Sequence, residues 1–392
     1  MQIVQATFGV FHHFELAHQL RARNHLRRIY STFPWARLKR EELPRQFVSC
    51  FPFIQTPDFL LRRNSFYPHA ISSRVAVWNA RSFDLWTRYK IEHCDALIAI
   101  SGTCFTTGPM VQASGGKFIC DRGSTHQRFQ EQLLADEHRR WGLSYRFPSP
   151  QIVQREEEIY DTADAITVPS NVARRSFLQM GLAPEKVHVI PYGVRLDKFK
   201  PAEAPPTDSF EVLFAGQVSL QKGIPYLLEA FSRLRHPRKH LTVVGSIQNE
   251  LRPLLAKLPT ENVAFTGSIP QTELAARMSR SHVLAHASVQ EGLALVQGQA
   301  MACGCPVIAT TATGCEDLFT NGVEGFIIND RDTDALADRL QQLADDPALR
   351  QRMSAAALDR VKTLGGWDRY GDQWDNLLHS LTGCPKDPTE LD

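Results

Sequence analysis

The sequence predicts an α/β fold with two Rossmann-like domains. Short apolar runs, rich in β-branched residues, alternate with amphipathic stretches of helical length along the chain. This alternation indicates βαβ units around buried parallel sheets, and so many predicted strands usually fill two sheets. The length of 392 residues also suits two domains of ordinary size.

The runs predicted as strands are bounded by turn residues. They are QIVQAT, RQFVSCF, DALIAIS, KFICD, AITVPS, VHVIPYG, EVLFAGQ, HLTVVGS, VAFTG, HVLAHAS, PVIAT and GFIIN. Proline and small polar residues interrupt the alternation at 199–210, which marks a boundary. We therefore predict one domain over 1–198 and a second over 199–365. An amphipathic helix over 366–382 is predicted to pack back onto the first domain.

The composition is that of a folded protein, with 43% hydrophobic and 22% charged residues. The first residues lack a basic segment followed by a long apolar run, so no secretory signal is expected. No window approaches about 18 consecutive apolar residues, so no membrane-spanning helix is expected either. The eight cysteines are scattered, and Cys303 and Cys305 lack metal-ligand spacing. We expect reduced thiols in a cytoplasmic protein.

Charge is distributed unevenly along the chain. Residues 1–150 contain 20 Lys and Arg against 11 Asp and Glu, whereas the whole chain has a net charge of only +2. A basic first half could bind a phosphorylated or membrane-borne partner, which leaves open a peripheral contact with the inner face of a membrane. The alternative is a solvated basic face on a helix predicted over 16–28. No aromatic–basic module indicates nucleic-acid binding.

A first candidate ligand site lies within 288–306. A strand is predicted to end near Ser288, and a helix to begin directly after Glu291 and a glycine. Ligands bind at this edge of open α/β sheets, where unpaired first-turn amides attract phosphates. The predicted amide donors are Gly292, Leu293 and Ala294. Glu291 is placed to bind ligand hydroxyls, with Gln299 on the same helix face; alternatively, Glu291 only offsets the helix dipole.

A second candidate anion site lies in EVLFAGQVSLQKGIPYLLEAF, which is again predicted as strand, loop and helix. Lys222 and Gly223 stand where this helix begins. A lysine there can neutralise a phosphate, and a glycine lets the backbone approach closely. Two anion sites of this kind in one sheet are stronger evidence for a bound phosphate group than either site alone.

Several motifs in a fixed order now carry a resemblance to a known family. They are EEEIYDTADAITVPS, VHVIPYGVRLDKFKP, the Lys222 loop, VAFTGSIPQTEL and EGLALVQGQAMACGCPVIATTATGCEDLFTNGVEGFII. Over most of 155–365 the chain resembles the donor domain of family 4 retaining glycosyltransferases, which have GT-B architecture. The resemblance implies two domains facing each other across a cleft. It implies transfer of a sugar from a nucleoside diphosphate sugar to a glycan or lipid-linked acceptor, with no metal cofactor.

Residue by residue, the resemblance implies the donor contacts of the second domain. Glu291 matches the first glutamate of the E-x7-E motif, which contacts the donor sugar. Gln299 stands where the second glutamate binds the ribose. Lys222 matches the lysine that pairs with the diphosphate. Residues 267–269, ending at Ile269, match the loop that meets the base.

The first domain, on the acceptor side, resembles the family less closely. Gly9 occupies the place of the glycine loop that faces the diphosphate. His126 resembles the histidine that lines the reacting sugar. Arg122, in the same loop, is a candidate for holding an acceptor phosphate or for shaping the site.

Two departures from the family pattern concern donor binding. The family usually has an arginine five residues before the diphosphate lysine, where this chain has Gln217. This removes a charge-assisted contact of about 1.5–3 kcal/mol, which corresponds to roughly 10–100-fold in affinity. Gln299 can still accept a hydrogen bond from a ribose hydroxyl. Arg122 and Arg174 are candidates for a compensating cation.

Two further patterns are ambiguous. Residues 330–334 contain overlapping D-x-D patterns, which bind Mn²⁺ in another class of transferases. Their place between a strand and a helix favours Asp332 or Asp330 as a helix N-cap instead. The aromatic residues spaced along 78–89 favour a packed helix face over a glycolipid-binding surface. They are Trp78, Phe83, Trp86 and Tyr89.

Histidines near two strand ends are also candidates. His13 and its neighbour His12 could contact donor or acceptor, whereas His286 is predicted to be a core histidine. Two other functions stay open, a sugar-nucleotide epimerase and a non-catalytic partner protein. A dehydrogenase and a hydrolase are not supported, because G-x-G-x-x-G and G-x-S-x-G are absent from the required places. A uridine nucleotide is the favoured donor.

Overall fold

The computed structural model describes residues 1–62 and 69–385, with side chains described outside 59–73. The described strands form two parallel sheets. They are β1 (Ile3–Thr7), β2 (Leu26–Ser31), β3 (Val48–Cys50), β4 (Ala96–Ile100), β5 (Lys117–Asp121), β6 (Ala165–Val168), β7 (Val187–Val189), β8 (Phe210–Ala215), β9 (Lys239–Val244), β10 (Val263–Gly267), β11 (Val283–His286), β12 (Val307–Thr310) and β13 (Gly325–Ile328).

Helices lie between most of these strands. They are α1 (His13–Ala22), α2 (Trp35–Leu38), α3 (Gln55–Arg62), α4 (His69–Lys90), α5 (Thr107–Ala113), α6 (Gln127–Arg140), α7 (Pro150–Thr162), α8 (Asn171–Gln179), α9 (Ile224–Arg233), α10 (Arg252–Leu255), α11 (Gln271–Arg280), α12 (Leu295–Ala302), α13 (Thr333–Asp345), α14 (Pro347–Leu364) and α15 (Trp367–Thr382). In the described ranges, no helix is long and apolar enough to cross a membrane.

The strand orders are those of doubly wound sheets. The first sheet runs β3-β2-β1-β4-β5-β6-β7 and the second β10-β9-β8-β11-β12-β13. Each order reverses next to its first strand, β1 or β8, and ligands bind outside the carboxyl ends of the strands at such a point. The predicted fold of two Rossmann-like domains is therefore confirmed. The first sheet lies before residue 198 and the second after residue 199.

Both sheets are buried on both faces, as parallel sheets require. The central strands β4 and β11 consist almost entirely of fully buried residues. Apolar side chains on each face pack against the flanking helices in separate clusters for the two domains. Backbone hydrogen bonds and buried aliphatic side chains therefore fix the strand ends on which the loops of the site stand.

The last helix, α15, returns to the first domain, as predicted. Trp374 and Tyr370 are 1% and 2% exposed in the core of that domain. The helix lies along α1, and Arg23 forms an ion pair with Asp372. The apolar stripe of the helix therefore belongs to the first domain, although the second domain precedes it in the chain.

The helix predicted over 16–28 is wrong beyond Ala22. Asn24 takes a left-handed conformation with φ 57° and ends the helical course. The chain then enters β2, which the sequence analysis missed. Arg27 and Arg28 therefore lie at the start of β2 and pair with Glu92. Part of the basic charge of the first half is thus neutralised within the domain.

The aromatic residues of α4 do not share one environment. Phe83 is fully buried and contacts the ring of Trp86, so the predicted packed face exists there. Trp78 and Tyr89 are 62% and 83% exposed, which contradicts the prediction for these two. The reason is the angular position of each residue relative to the buried Phe83. Trp86, three residues on, lies on the same side of the helix, whereas Trp78 and Tyr89, five and six residues away, point to other sides.

Candidate functional site

The loop between β11 and α12 carries Glu291 at the carboxyl edge of the second sheet. The helix begins only at Leu295, later than predicted, so Glu291 lies before it. Glu291 and Gln299 therefore do not share a helix face. The amide of Ala294 donates to the carbonyl of Thr313 at 3.1 Å, which corrects its prediction as a free diphosphate donor.

Glu291 is held through one carboxylate oxygen. Its Oε1 accepts from Lys222, from the Ser288 hydroxyl at 3.0 Å and lies 3.1 Å from Nε2 of His286. Burial alone would raise the pKa of Glu291, but Lys222 and His286 outweigh it and lower this pKa to about 2. Oε2 makes no hydrogen bond within the described part of the chain. It is thus the oxygen available to a ligand hydroxyl.

Lys222 and Gly223 stand at the start of α9, as predicted. Gly223 is the N-cap residue with φ 65°. Any side chain there would collide with the carbonyl of Ala287, directly after β11, so only glycine permits this approach. The close packing brings the Lys222 ammonium group to Glu291 and to the positive end of the α9 dipole.

A pocket of about 350 Å³ opens at the same carboxyl edge of the sheet, where β8 and β9 end. It brings together three predicted donor residues, Gln217, Ile269 and Gln299. Gly216, Gly245, Ser246, Ser268, Leu274 and Val296 complete most of the wall. Gln217 is exposed at the end of β8, where an incoming phosphate could meet its amide. The described lining carries no ionisable side chain, so it suits a neutral base and ribose.

The first domain meets the 288–294 loop through residues 123–125. Gln290 donates to Ser124 Oγ at 3.0 Å and to Thr125 Oγ1 at 2.8 Å. The backbone of Gly292 lies so close to Gly123 that a side chain would not fit. Leu293 is 7% exposed and packs in the core of the second domain. Gly292 therefore takes part in the contact between the domains, in addition to its predicted contact with a ligand.

Arg122 shapes this loop. Its guanidinium donates to the carbonyl of Thr125 at 3.0 Å, to Ser101 Oγ at 3.1 Å and to Gln127 Oε1 at 2.8 Å. Of the two functions predicted for Arg122, the structure therefore favours the shaping of the site over phosphate binding. Arg174 donates to two backbone carbonyls of its own domain. Neither arginine is free to replace the missing cation at Gln217.

His126 is buried at the start of α6. It is 2% exposed, and its ring packs against Tyr160 and Phe177 at centroid distances of 5.0 and 5.1 Å. Its Nδ1 accepts from the amide of Arg128 at 3.2 Å and so caps α6. Burial lowers the pKa of His126 to about 4. The structure thus gives His126 a capping role at the start of α6, and its contact with the reacting sugar stays a prediction.

Gly9 and the two histidines after it lie at the end of β1. Gly9 has φ 73°, but its amide donates to Thr32 Oγ1 at 3.0 Å and is not free. Nε2 of His12 lies 2.6 Å from Asp121 Oδ2. His13 is fully buried, and this burial, with His12, lowers its pKa to about 3.

Among the side chains that the structure describes, two three-residue groups have a spacing that a metal ion accepts, with ligand atoms within 4.8 Å of one another. They are His12, His13 and Asp121, and His25, Asp375 and His379. In the first group, Asp121 already forms a hydrogen bond to His12 through one oxygen and to Thr167 through the other. These hydrogen bonds account for the close spacing of the group without a metal ion. Asp332 caps α13 through the amide of Ala335 at 2.8 Å, as predicted from its place between strand and helix.

Two residues of the site escaped the sequence analysis. His286 was predicted as a core histidine, and it is buried, but its ring also orients Glu291 and stacks on Phe214 at 5.7 Å. Gln290 joins the domains. A signal existed for both, because each lies within five residues of Glu291 at the end of β11.

A larger cavity of about 790 Å³ lies in the first domain. Phe8, next to Gly9, lines it together with Gly102, Phe105 and Glu156. Gly102 has φ 83°, and a side chain there would meet Phe8 and Glu156. The cavity therefore opens at the carboxyl edge of the first sheet, next to the loop that faces the donor side.

Comparison with known proteins is consistent with this geometry. The family model described as Glycosyl transferases group 1 matches residues 196–360, and that described as Glycosyltransferase Family 4 matches 121–198. A D-inositol 3-phosphate glycosyltransferase of Thermomonospora curvata is 31% identical over 267 residues, 60% of this chain and 61% of that protein. The chain matches about half to three-fifths of the length of such curated relatives.

Solved structures show the same architecture. Sucrose-phosphate synthase from Thermosynechococcus elongatus superposes with a TM-score of 0.75 at 18% identity, covering 98% of this chain and 100% of the other. Anabaena HepE in complex with UDP-glucose gives 0.67 at 19% identity, covering 97% and 100%. Together, the two family models span most of the chain from the loop of Arg122 to the end of the second domain. With its GT-B fold, this chain belongs to the family 4 glycosyltransferases.

Proposed function

We propose that this chain is a retaining glycosyltransferase that needs no metal. It moves a sugar from a uridine diphosphate sugar to a hydroxyl of a glycan or lipid-linked acceptor in the cytoplasm, with a lipid-linked acceptor presented at the membrane surface. The observation that carries the proposal is the buried pair of Lys222 and Glu291 at the same sheet edge as the pocket of Gln217, Ile269 and Gln299. A uridine nucleotide is supported by HepE, a protein of the same fold that was solved with UDP-glucose.

The pair suits a donor with a diphosphate and a sugar. The Lys222 ammonium has three donor hydrogens, so it can bind a diphosphate oxygen and stay paired with Glu291. The free Oε2 of Glu291 accepts from a sugar hydroxyl. As the bond between the anomeric carbon and the diphosphate oxygen breaks, negative charge grows on the diphosphate, and Lys222 stabilises it. The acceptor oxygen bonds to the anomeric carbon from the same face, and its proton passes to the leaving diphosphate.

The acceptor is assigned to the cavity of the first domain. Its wall combines aromatic rings, Phe8 and Phe105, with the carboxylate of Glu156. Aromatic faces and carboxylates suit the apolar and hydroxyl sides of a sugar. Because relatives are D-inositol 3-phosphate glycosyltransferases, inositol phosphate belongs among the acceptors to be tested.

The first test is thermal stabilisation by UDP-, GDP- and ADP-sugars, with and without EDTA. A ligand that binds only the native state raises the melting temperature by mass action. We expect a shift with UDP-sugars that EDTA leaves unchanged and that Lys222→Ala and Glu291→Ala reduce. Glu316→Gln, an exposed carboxylate paired with Arg175, is the control.

The other outcomes identify the alternatives. No shift with any nucleotide would contradict the proposal and support a non-catalytic partner protein. Consumption of the donor to an isomeric nucleotide sugar without acceptor would support an epimerase. The anomeric configuration of the product, read by proton NMR, tests retention directly.

A further inference from the structure

Helix α6 lies between the two domains. It follows the 122–126 loop of the first domain, which faces Gly292. Near its other end, Leu133, Trp141 and Leu143 pack against the apolar core of the second domain. The helix thus belongs to the first domain by its place in the chain. It contacts the second domain from its middle to just beyond its last residue.

Glu137 is the buried charge of this contact. It is 0% exposed, and both carboxylate oxygens accept hydrogen bonds. Oε1 accepts from Tyr226 Oη at 2.7 Å and from Trp141 Nε1 at 2.9 Å. Oε2 accepts from Nε of Arg331 at 2.6 Å. Tyr226 and Arg331 belong to the second domain, so the network crosses the interface.

The geometry of Arg331 indicates that this contact is specific. Arg331 takes a left-handed backbone conformation with φ 64°, which is uncommon for a residue with a side chain. It also lies 3.1 Å from Asp330. If Arg331 were removed while the domains stayed packed, Glu137 would remain buried without its cation, and an uncompensated buried charge is strongly unfavourable.

The second domain also holds the other end of the helix. Gln290, adjacent to Glu291, donates to Ser124 and Thr125 just before α6. The 14 residues of α6 span about 20 Å. The second domain therefore grips this helix at two points, one beside the donor site and one remote from it.

We propose that Glu137 is a positioning residue, which latches α6 to the second domain and so keeps the 122–126 loop against the donor site. The consequence of this latch, the exclusion of water from the donor site, rests on the proposed function. A loosened loop admits water to the bound donor. The fraction of donor hydrolysed, relative to the fraction transferred, then rises.

The test compares Tyr226→Phe and Glu137→Gln with the wild type. Tyr226→Phe keeps the ring and removes only the hydroxyl donor, so it stays informative if Glu137→Gln fails to fold. Asp334→Asn is the matched control, because Asp334 pairs with Arg233 on the exposed surface of α9 and α13. Hydrogen exchange of residues 127–143 is measured without donor. The ratio of donor hydrolysis to sugar transfer is measured separately, with UDP-sugar and acceptor present.

We expect Tyr226→Phe to speed exchange in 127–143 and to raise the hydrolysis-to-transfer ratio by about 3–10-fold, the effect of one lost hydrogen bond. Asp334→Asn should change neither. A lower fraction of active protein would leave the ratio unchanged, so the ratio separates positioning from stability. Unchanged exchange overturns the latch, and faster exchange with an unchanged ratio overturns the positioning role. If the wild type turns over no donor, the proposed function fails while the exchange result still decides the latch.

Discussion

Two buried carboxylates lie at the interface between the domains, and they are held in different ways. Glu291 accepts all of its hydrogen bonds through Oε1, from Lys222, His286 and Ser288. Glu137 uses both oxygens, on Tyr226, Trp141 and Arg331. The Glu291 cluster leaves one carboxylate oxygen free at the sheet edge that also carries the nucleotide pocket. In the Glu137 cluster, both carboxylate oxygens accept hydrogen bonds from the protein.

The difference shows how a buried acid can be assigned a function. A buried charge must be paired, and pairing alone does not distinguish a binding site from a structural contact. An acid fixed through one oxygen is oriented but still able to bind a ligand. An acid fixed through both oxygens contributes only to the structure of the interface. We therefore expect variants of the two clusters to fail in different assays.

The largest effect should come from Glu291→Gln. The amide keeps the size of the side chain but loses the charge that pairs with Lys222 and orients the sugar. We expect kcat/KM for the UDP-sugar to fall about 100–1000-fold, as for loss of a group that acts in the transition state. Steady-state kinetics measure this, with Glu316→Gln as control. Activity within threefold of the wild type would place the donor sugar elsewhere.

The next effect concerns stability. Arg331→Met removes the cation of Glu137 and keeps most of the aliphatic volume. We expect the free energy of unfolding to fall by about 3 kcal/mol, because a buried carboxylate loses its charged partner. Denaturant titration measures it, alongside Arg233→Met, which breaks only an exposed pair with Asp334. Equal losses in both variants would mean that the Glu137 cluster is no stronger than a surface ion pair.

A smaller effect tests the departure at Gln217. Because Gln217 lines the nucleotide pocket but is exposed, Gln217→Arg should lower the Kd of UDP by about 10-fold, the lower end of a charge-assisted contact. Isothermal titration calorimetry measures this, and free uridine, which has no phosphate, should bind no better. An equal gain for uridine would show that position 217 does not face the diphosphate.

The sequence predicted the fold well because its signals are local. Apolar runs with β-branched residues mark parallel strands wherever both faces are buried. The exception, β2, begins with LRR, and its two arginines continue the polar pattern of the preceding helix. Only the left-handed Asn24 separates the two elements. Propensity over a window of residues does not detect a single backbone conformation of that kind.

The site was predicted in part. Lys222, Glu291, Gln217, Ile269 and Gln299 follow strand ends, and parallel strands bring such positions together. Contacts that depend on tertiary packing were not predictable. Nothing in the spacing of Glu137 indicates that Tyr226 and Arg331 meet it across the interface. The burial of His126 likewise depends on Tyr160 and Phe177, which come from other helices.

The smallest effect concerns the end of α6 nearest Glu291. Burial lowers the pKa of His126 from 6.5 to about 4, so between these values the unfolded chain binds a proton that the folded protein does not. Stability is therefore lost as the pH falls from 6.5 towards 4. We therefore expect the free energy of unfolding to fall by about 1–2 kcal/mol at pH 5 relative to pH 7.

His126→Asn isolates this contribution. Asparagine also accepts a hydrogen bond at a helix N-cap, so the cap to the amide of Arg128 is kept while the titrating ring is removed. The variant should show a flatter dependence of the unfolding free energy on pH between 7 and 5. A slope equal to that of the wild type would assign the acid sensitivity to other histidines. In that case the start of α6 would be held by Gln290 and Arg122 alone, and the contact would not depend on pH.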